Sequence, residues 1–164
     1  MVKKTFILYT RNFIFGSEDS LVSTVGLLAG IASAGVEKKE IIISGIVLIC
    51  VEAFSMSVGS FLSEIETEES SSNHNPKNSN PIIASIIMLT SYIICGLIPL
   101  SPYFLMDIKY AFWWSIVASI IFLFILGLIS AKILKIKVLK TTLRMTIMGG
   151  MAIGLGVIVG LIMK

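Results

Sequence analysis

The chain has 164 residues, 55% of them hydrophobic and only 14% charged, with a net charge of +3 and a mean hydropathy of +0.95. A soluble domain carries about a quarter charged residues and a disordered chain is far less hydrophobic, so this is the composition of an integral membrane protein. Two widely spaced cysteines exclude a disulfide framework or thiolate zinc cluster, and the scattered Lys and Arg form no nucleic-acid patch.

A bilayer core about 30 Å thick takes roughly 20 apolar residues of helix. Runs at about 13–36, 41–62, 81–103, 111–134 and 145–163 meet that length. They are continuously apolar, unlike the alternating strands of a membrane barrel. The expectation is an all-α protein with five transmembrane helices in a single transmembrane domain, 1–164.

Ahead of the first run, Phe6–Tyr9 is too short an apolar stretch for a secretory signal. With Lys3, Lys4 and Arg11 it suits a short helix lying at the membrane interface, a frayed tail being the alternative. The first run is interrupted by Glu18 and Asp19. Glu37-Lys38-Lys39-Glu40 reads as a tight turn into the second run, which holds Glu52. An acidic, then Ser/Asn-rich link spans 64–80, and Asn80-Pro81 reads as an N-cap with Pro at N1. The third and fifth runs carry no charge, and the fourth only Lys132 at its end. Between the third and fourth lies Met106–Lys109, flanked by Tyr103, Tyr110, Trp113 and Trp114 as an interfacial aromatic belt.

Short connections make successive helices antiparallel. Lys3, Lys4, Arg11, Lys77, Lys132, Lys135, Lys137, Lys140 and Arg144 then share one side, against Lys38, Lys39, Lys109 and Lys164 on the other. The positive-inside rule puts the N-terminus and the acidic link in the cytosol and the C-terminus outside or lumenal. The membrane would be the plasma membrane of a prokaryote, or otherwise that of an organelle.

Ionisable groups inside a span cost about 2.5–3.5 kcal/mol and mark function by default. Glu52 is the deepest, with Asp19 in the first helix. At about 1.5 Å per residue, Asp19 and Met56 are level about 9 Å in, and Ser23 and Glu52 about 15 Å in. Asp19/Ser23 and Glu52/Met56 are each i, i+4 pairs, so two stripes can face one another. Two carboxylates and a thioether fit Fe²⁺ or Mn²⁺ in a weak, exchangeable site. Glu18 points about 100° away and reads as a snorkelling or capping residue.

These residues also carry a resemblance. Phe15-Gly16-Ser17-Glu18-Asp19-Ser20-Leu21, continuing to Ala29-Gly30, resembles the first-helix signature of the vacuolar iron transporter (VIT) family. Glu52-Ala53-Phe54-Ser55-Met56-Ser57-Val58-Gly59 resembles its second, and Leu97–Tyr103 more weakly its third-helix ending. The resemblance implies homodimers that move Fe²⁺ or Mn²⁺ out of the cytosol, in some members against protons, along a path lined here by Asp19, Glu52 and Met56. Ser20 and Ser57 stand where the family pattern has Gly. The Glu-rich cytosolic metal-binding domain of longer members is reduced to the 64–80 link.

In that link Glu64 and Glu68 share a helix face, and Glu66 lies near Glu69. They read either as a cation-concentrating entrance or as a solvated helix end. His74 is a linker residue, and Cys50 and Cys95 read as buried apolar side chains. Gly26/Gly30, Gly150/Gly154 and Gly156/Gly160 allow close helix approach. No nucleotide-binding loop is present, so the expectation is a transporter and not an enzyme, with divalent metal and the bilayer as partners and no cofactor beyond transported Fe²⁺ or Mn²⁺. A small multidrug-type proton-coupled transporter and a non-transporting scaffold subunit are the competing readings.

Overall fold

The structure, a computed structural model, describes residues 2–70 and 80–164. The described residues form five helices: α1 Val2–Ser33, α2 Lys38–Ser70, α3 Pro81–Leu105, α4 Ile108–Leu134 and α5 Val138–Ile162. All five are long and apolar enough to cross a membrane. His74 and Lys77 lie outside the described residues.

Three helices extend well beyond their apolar runs. α1 begins at Val2, so Phe6–Tyr9 is neither a separate interfacial helix nor a frayed tail. No Pro or Gly interrupts the chain before Gly16, and nothing ends the hydrogen-bond ladder. α2 continues through the glutamates to Ser70, which turns the first part of the expected link into helix. α5 opens seven residues before its apolar stretch, taking Lys140 and Arg144 into its first turns. Glu, Lys and Arg are good helix formers; hydropathy ends where they begin, but the backbone does not.

The turns shift accordingly. Gly35, at φ +81°, makes the α1–α2 turn, and the Glu37 carbonyl accepts from the N–H groups of Glu40 and Ile41. Lys38 and Lys39 already belong to α2. Asn80 caps α3 as expected, its Oδ1 accepting from the Ile82 N–H at 2.9 Å. Inside α3, Pro102 offers no N–H to the Ile98 carbonyl, and Ser101 Oγ donates to it instead at 2.9 Å.

The bundle is organised around α1, which packs against all four other helices. α1 is the least apolar of the five and the most buried. Its Asn12, Ser17, Ser20 and Thr24 are interior, whereas the outer surface is studded with Val, Ile, Leu and Phe. A water-facing surface of that kind is unsustainable; a lipid-facing one is required. Leu28, Ile41, Ile49, Leu100, Tyr103 and Ala111 form one core where α1 to α4 meet. Tyr103 is therefore fully buried and not part of an aromatic belt, while Tyr110, Trp113 and Trp114 do face outward. Cys50 also faces outward and Cys95 is half-buried, so neither is a fully buried packing residue.

The α1–α5 contact is backbone on backbone. A Cβ on Gly30 would lie 2.8 Å from the Gly156 carbonyl oxygen, and one on Gly156 or Gly160 would run into the Gly26 or Gly30 carbonyl. Gly150 and Gly154 have open space around them. The expectation is that Gly156→Leu destabilises the fold by about 3 kcal/mol or more through overpacking. Gly154→Leu should stay within about 0.5 kcal/mol of the parent. Denaturant unfolding in detergent micelles measures both, and equal stability of the two variants would refute the contact.

Candidate metal path

Asp19 and Ser23 stand one turn apart on α1 and are half-buried; Glu52 and Met56 do the same on α2. The carboxylates are electrostatic neighbours, since the charge that Asp19 meets from another helix is that of Glu52. Ser23 and Glu52 are joined through a third helix by a residue that the sequence reading did not single out. Tyr92 of α3 is fully buried, and its hydroxyl donates to Glu52 Oε2 at 3.1 Å. The same hydroxyl lies 2.7 Å from Ser23 Oγ. A phenol has one proton, so with that proton on Glu52, Ser23 is the donor to Tyr92. Ser20 Oγ anchors the backbone beneath by donating to the Tyr92 carbonyl at 2.5 Å. Gly96, one turn further along α3, leaves room for Ser20: a Cβ there would come within 2.7 Å of its hydroxyl oxygen.

A signal for Tyr92 did exist. It is the one tyrosine placed well inside a charge-free span, and a buried phenol seeks a hydrogen-bond partner. That Glu52 would be the partner depends on how α3 is rotated, which periodicity does not give.

From Glu52 a ladder of groups continues outward along α2. Glu52, Met56, Ser60, Glu64 and Glu68 recur every four residues and are all half-buried, while Glu66 and Glu69 are exposed. A row of oxygen and sulfur groups about 6 Å apart therefore winds round α2, turning about 40° per step, from the acidic helix end to the depth of Glu52. Ser60 Oγ donates to Asn12 Oδ1 of α1 at 2.9 Å, and Asn12 Nδ2 is occupied by the Leu8 carbonyl at 3.2 Å. That fixes the amide oxygen toward α2. Ser57 Oγ donates to the Ser85 carbonyl of α3 at 3.0 Å, and Tyr9 OH accepts from the Asn80 N–H at 3.1 Å. The ends of α1, α2 and α3 are thus pinned together where the ladder starts.

Glu18 is separate from this arrangement. It sits in the middle of α1, so it caps nothing, and the cation in its range is Arg144 of α5. Among the described residues no three His, Cys, Asp or Glu converge on one point. Asp19 and Glu52 supply two carboxylates, with Tyr92, Ser23 and Met56 as neutral neighbours. Such a set can hold a divalent cation only with water or further ligands completing its shell.

The hydrogen-bonded chain makes a quantitative expectation. Tyr92→Phe keeps the ring in the core but leaves Ser23 and Glu52 unpartnered, costing about 1–3 kcal/mol. Ser23→Ala alone should cost about 1 kcal/mol, and the double variant should fall short of the sum because both act on one chain. Thermal unfolding in micelles measures the cycle, and strict additivity would break the proposed link.

Comparison with known proteins agrees with the motifs. Over 164 residues the chain is 29% identical to an uncharacterised protein of Methanocaldococcus jannaschii, covering 89% of this chain and 85% of that one. It is 23% identical over 158 residues to vacuolar iron transporter homolog 4 of Arabidopsis thaliana, covering 90% of this chain and 80% of that protein. The VIT family model matches residues 10–79 and 65–161, a range that takes in all five helices. The chain belongs to the VIT family.

Proposed function

We propose that this protein carries a divalent transition metal, Fe²⁺ or Mn²⁺, out of the cytosol, with Asp19, Glu52 and Met56 as its membrane-embedded ligands. The observation that carries this reading is the row of groups at four-residue spacing on α2, from Glu68 and Glu64 through Ser60 and Met56 to Glu52, where Tyr92 holds the carboxylate opposite α1. Family membership and a relative named as a vacuolar iron transporter homolog support it.

In this mechanism Glu64 and Glu68, with Glu66 and Glu69 beside them, concentrate cations at the cytosolic mouth. Ser60 and Asn12 offer oxygens as the ion sheds water. Asp19 and Glu52 supply charge, and the Met56 thioether favours later transition metals over Mg²⁺ or Ca²⁺. Proton arrival from the outer or lumenal side neutralises the carboxylates and releases the ion, which makes the cycle an antiport. Tyr92 and Ser23 keep Glu52 in place through both states, because a phenol can donate to the carboxylate or accept from the acid. The half-exposed Asp19 and Met56 leave room for a second copy to complete the path, as a homodimer.

Flux into proteoliposomes of purified protein, with and without a pH gradient, tests the reading. Glu52→Gln and Asp19→Asn should abolish metal flux while insertion and assembly survive. Met56→Leu should cost under about 1.5 kcal/mol of stability yet shift selectivity toward Mn²⁺ or lose discrimination. Exchanging Glu64, Glu66, Glu68 and Glu69 for Gln should raise KM at low ionic strength and leave the maximal rate largely intact, since the effect is one that salt screens. Wild-type flux in Glu52→Gln would overturn the mechanism; a scaffold subunit would tolerate or even gain from that change.

A further inference from the structure

The turns of the bundle are not charged alike. At the α1–α2 turn Lys38 and Lys39 sit between Glu37 and Glu40, and at the α3–α4 turn Lys109 is offset by Asp107. The α4–α5 turn has no such balance. Lys132, Lys135, Lys137, Lys140 and Arg144 crowd into it, and no Asp or Glu follows Asp107 anywhere in the chain. All five cations are exposed. The acidic end of α2 does not serve them, because α2 packs on α1 and α3 and makes no substantial contact with α4 or α5. Arg144 has the Glu18 carboxylate in electrostatic range. Among the described residues no ion pair is seen at the four lysines, and no acidic residue lies near them in the sequence.

Their setting is equally specific. α4 is 27 residues long, about 40 Å against a hydrocarbon core of about 30 Å, so the turn emerges at headgroup depth. Interleaved with the lysines are Ile133, Ile136, Leu139 and Leu143, all facing outward, and Leu139 is 81% exposed. Lys135 ends α4 in the left-handed conformation, φ 55°, where glycine is the easier residue. A lysine is thus held at the apex of the turn despite the backbone. Ammonium groups at phosphate level with apolar side chains dipping among the acyl chains is the pattern of an interfacial lipid contact.

We propose that the α4–α5 turn is a docking surface for the headgroups of anionic phospholipids. The positive-inside rule explains an excess of cations on one side of the membrane. It does not require them to be gathered on one turn, unbalanced and set among exposed leucine and isoleucine. The surface stands apart from the Asp19–Glu52 path and does not depend on the transport reading.

The test is native mass spectrometry of the purified full chain equilibrated in micelles with equal amounts of phosphatidylglycerol and phosphatidylcholine. The wild-type protein should retain the anionic lipid preferentially, with a preference that falls as salt rises. The variant Lys132→Gln/Lys135→Gln/Lys137→Gln/Lys140→Gln should lose at least about tenfold of it, given roughly fivefold per cation near an anionic surface. Lys38→Gln/Lys39→Gln should keep it in full. All four lysines are exposed, and helix content by circular dichroism checks that the variant is folded; Lys137→Gln/Lys140→Gln serves in its place if it is not. Millimolar inorganic phosphate should leave the lipid bound. No anionic preference in the wild type, an undiminished one in the quadruple variant, an equal loss in Lys38→Gln/Lys39→Gln, or displacement by phosphate would overturn the proposal.

Discussion

Lipid offers no hydrogen-bond partner to an amide, hydroxyl or carboxylate, so the polar groups of a membrane helix must be enclosed by protein. In this chain that requirement falls on α1, whose Asn12, Ser17, Ser20 and Thr24 are buried and whose Asp19 and Ser23 are half-buried. The other four helices exist around it. They are nearly free of charge at membrane depth, with Glu52 the exception, and each packs against α1 and a neighbouring helix and turns its remaining surface outward.

Enclosure of α1 is uneven, and the unevenness shapes the path. Against α5 the contact is as close as helices allow, with Gly26 and Gly30 meeting Gly156 and Gly160 backbone to backbone. Small residues suit such contacts because association in lipid rests on packing, not on expulsion of water. Against α2 the contact is lighter and more polar: Ser60 reaches Asn12, while Tyr92 inserts its hydroxyl between Ser23 and Glu52. Among the described residues Glu52 is therefore held by a neutral donor, the Tyr92 hydroxyl, and not by a cation. A carboxylate paired with Lys or Arg would have its charge neutralised inside the protein. One held by a phenol stays able to take a metal ion or a proton.

The protein thereby keeps two kinds of polar surface apart. Asp19 and Glu52 lie on the α1–α2 side, and a row of groups at four-residue spacing winds from Glu52 to the acidic end of α2. The cations gather at the α4–α5 end, on helices that α2 scarcely touches. Glu18 of α1 and Arg144 of α5 come within electrostatic range, while α2, which carries Glu52 and the acidic end, makes no substantial contact with α4 or α5.

The sequence by itself determined the number of spans, because bilayer thickness sets a helix length that any apolar run must meet. Counting residues puts Ser23 level with Glu52, and Tyr92 bridges those two groups. That Glu52 and Met56, and Glu64 and Glu68, each stand one turn apart followed from the helix period alone. Helix ends were less legible: hydropathy stops at Leu62 and begins at Met145, while the backbone ladder, indifferent to polarity, runs from α2 on to Ser70 and starts α5 at Val138. Three Gly-x-x-x-Gly pairs look alike in the sequence, yet only Gly26/Gly30 and Gly156/Gly160 meet. Tyr92 and Tyr103 are both buried on α3, and one serves Glu52 while the other fills the core. Such choices depend on the rotation of each helix about its own axis. That rotation is set by how side chains from several helices pack at once, which only the tertiary structure decides.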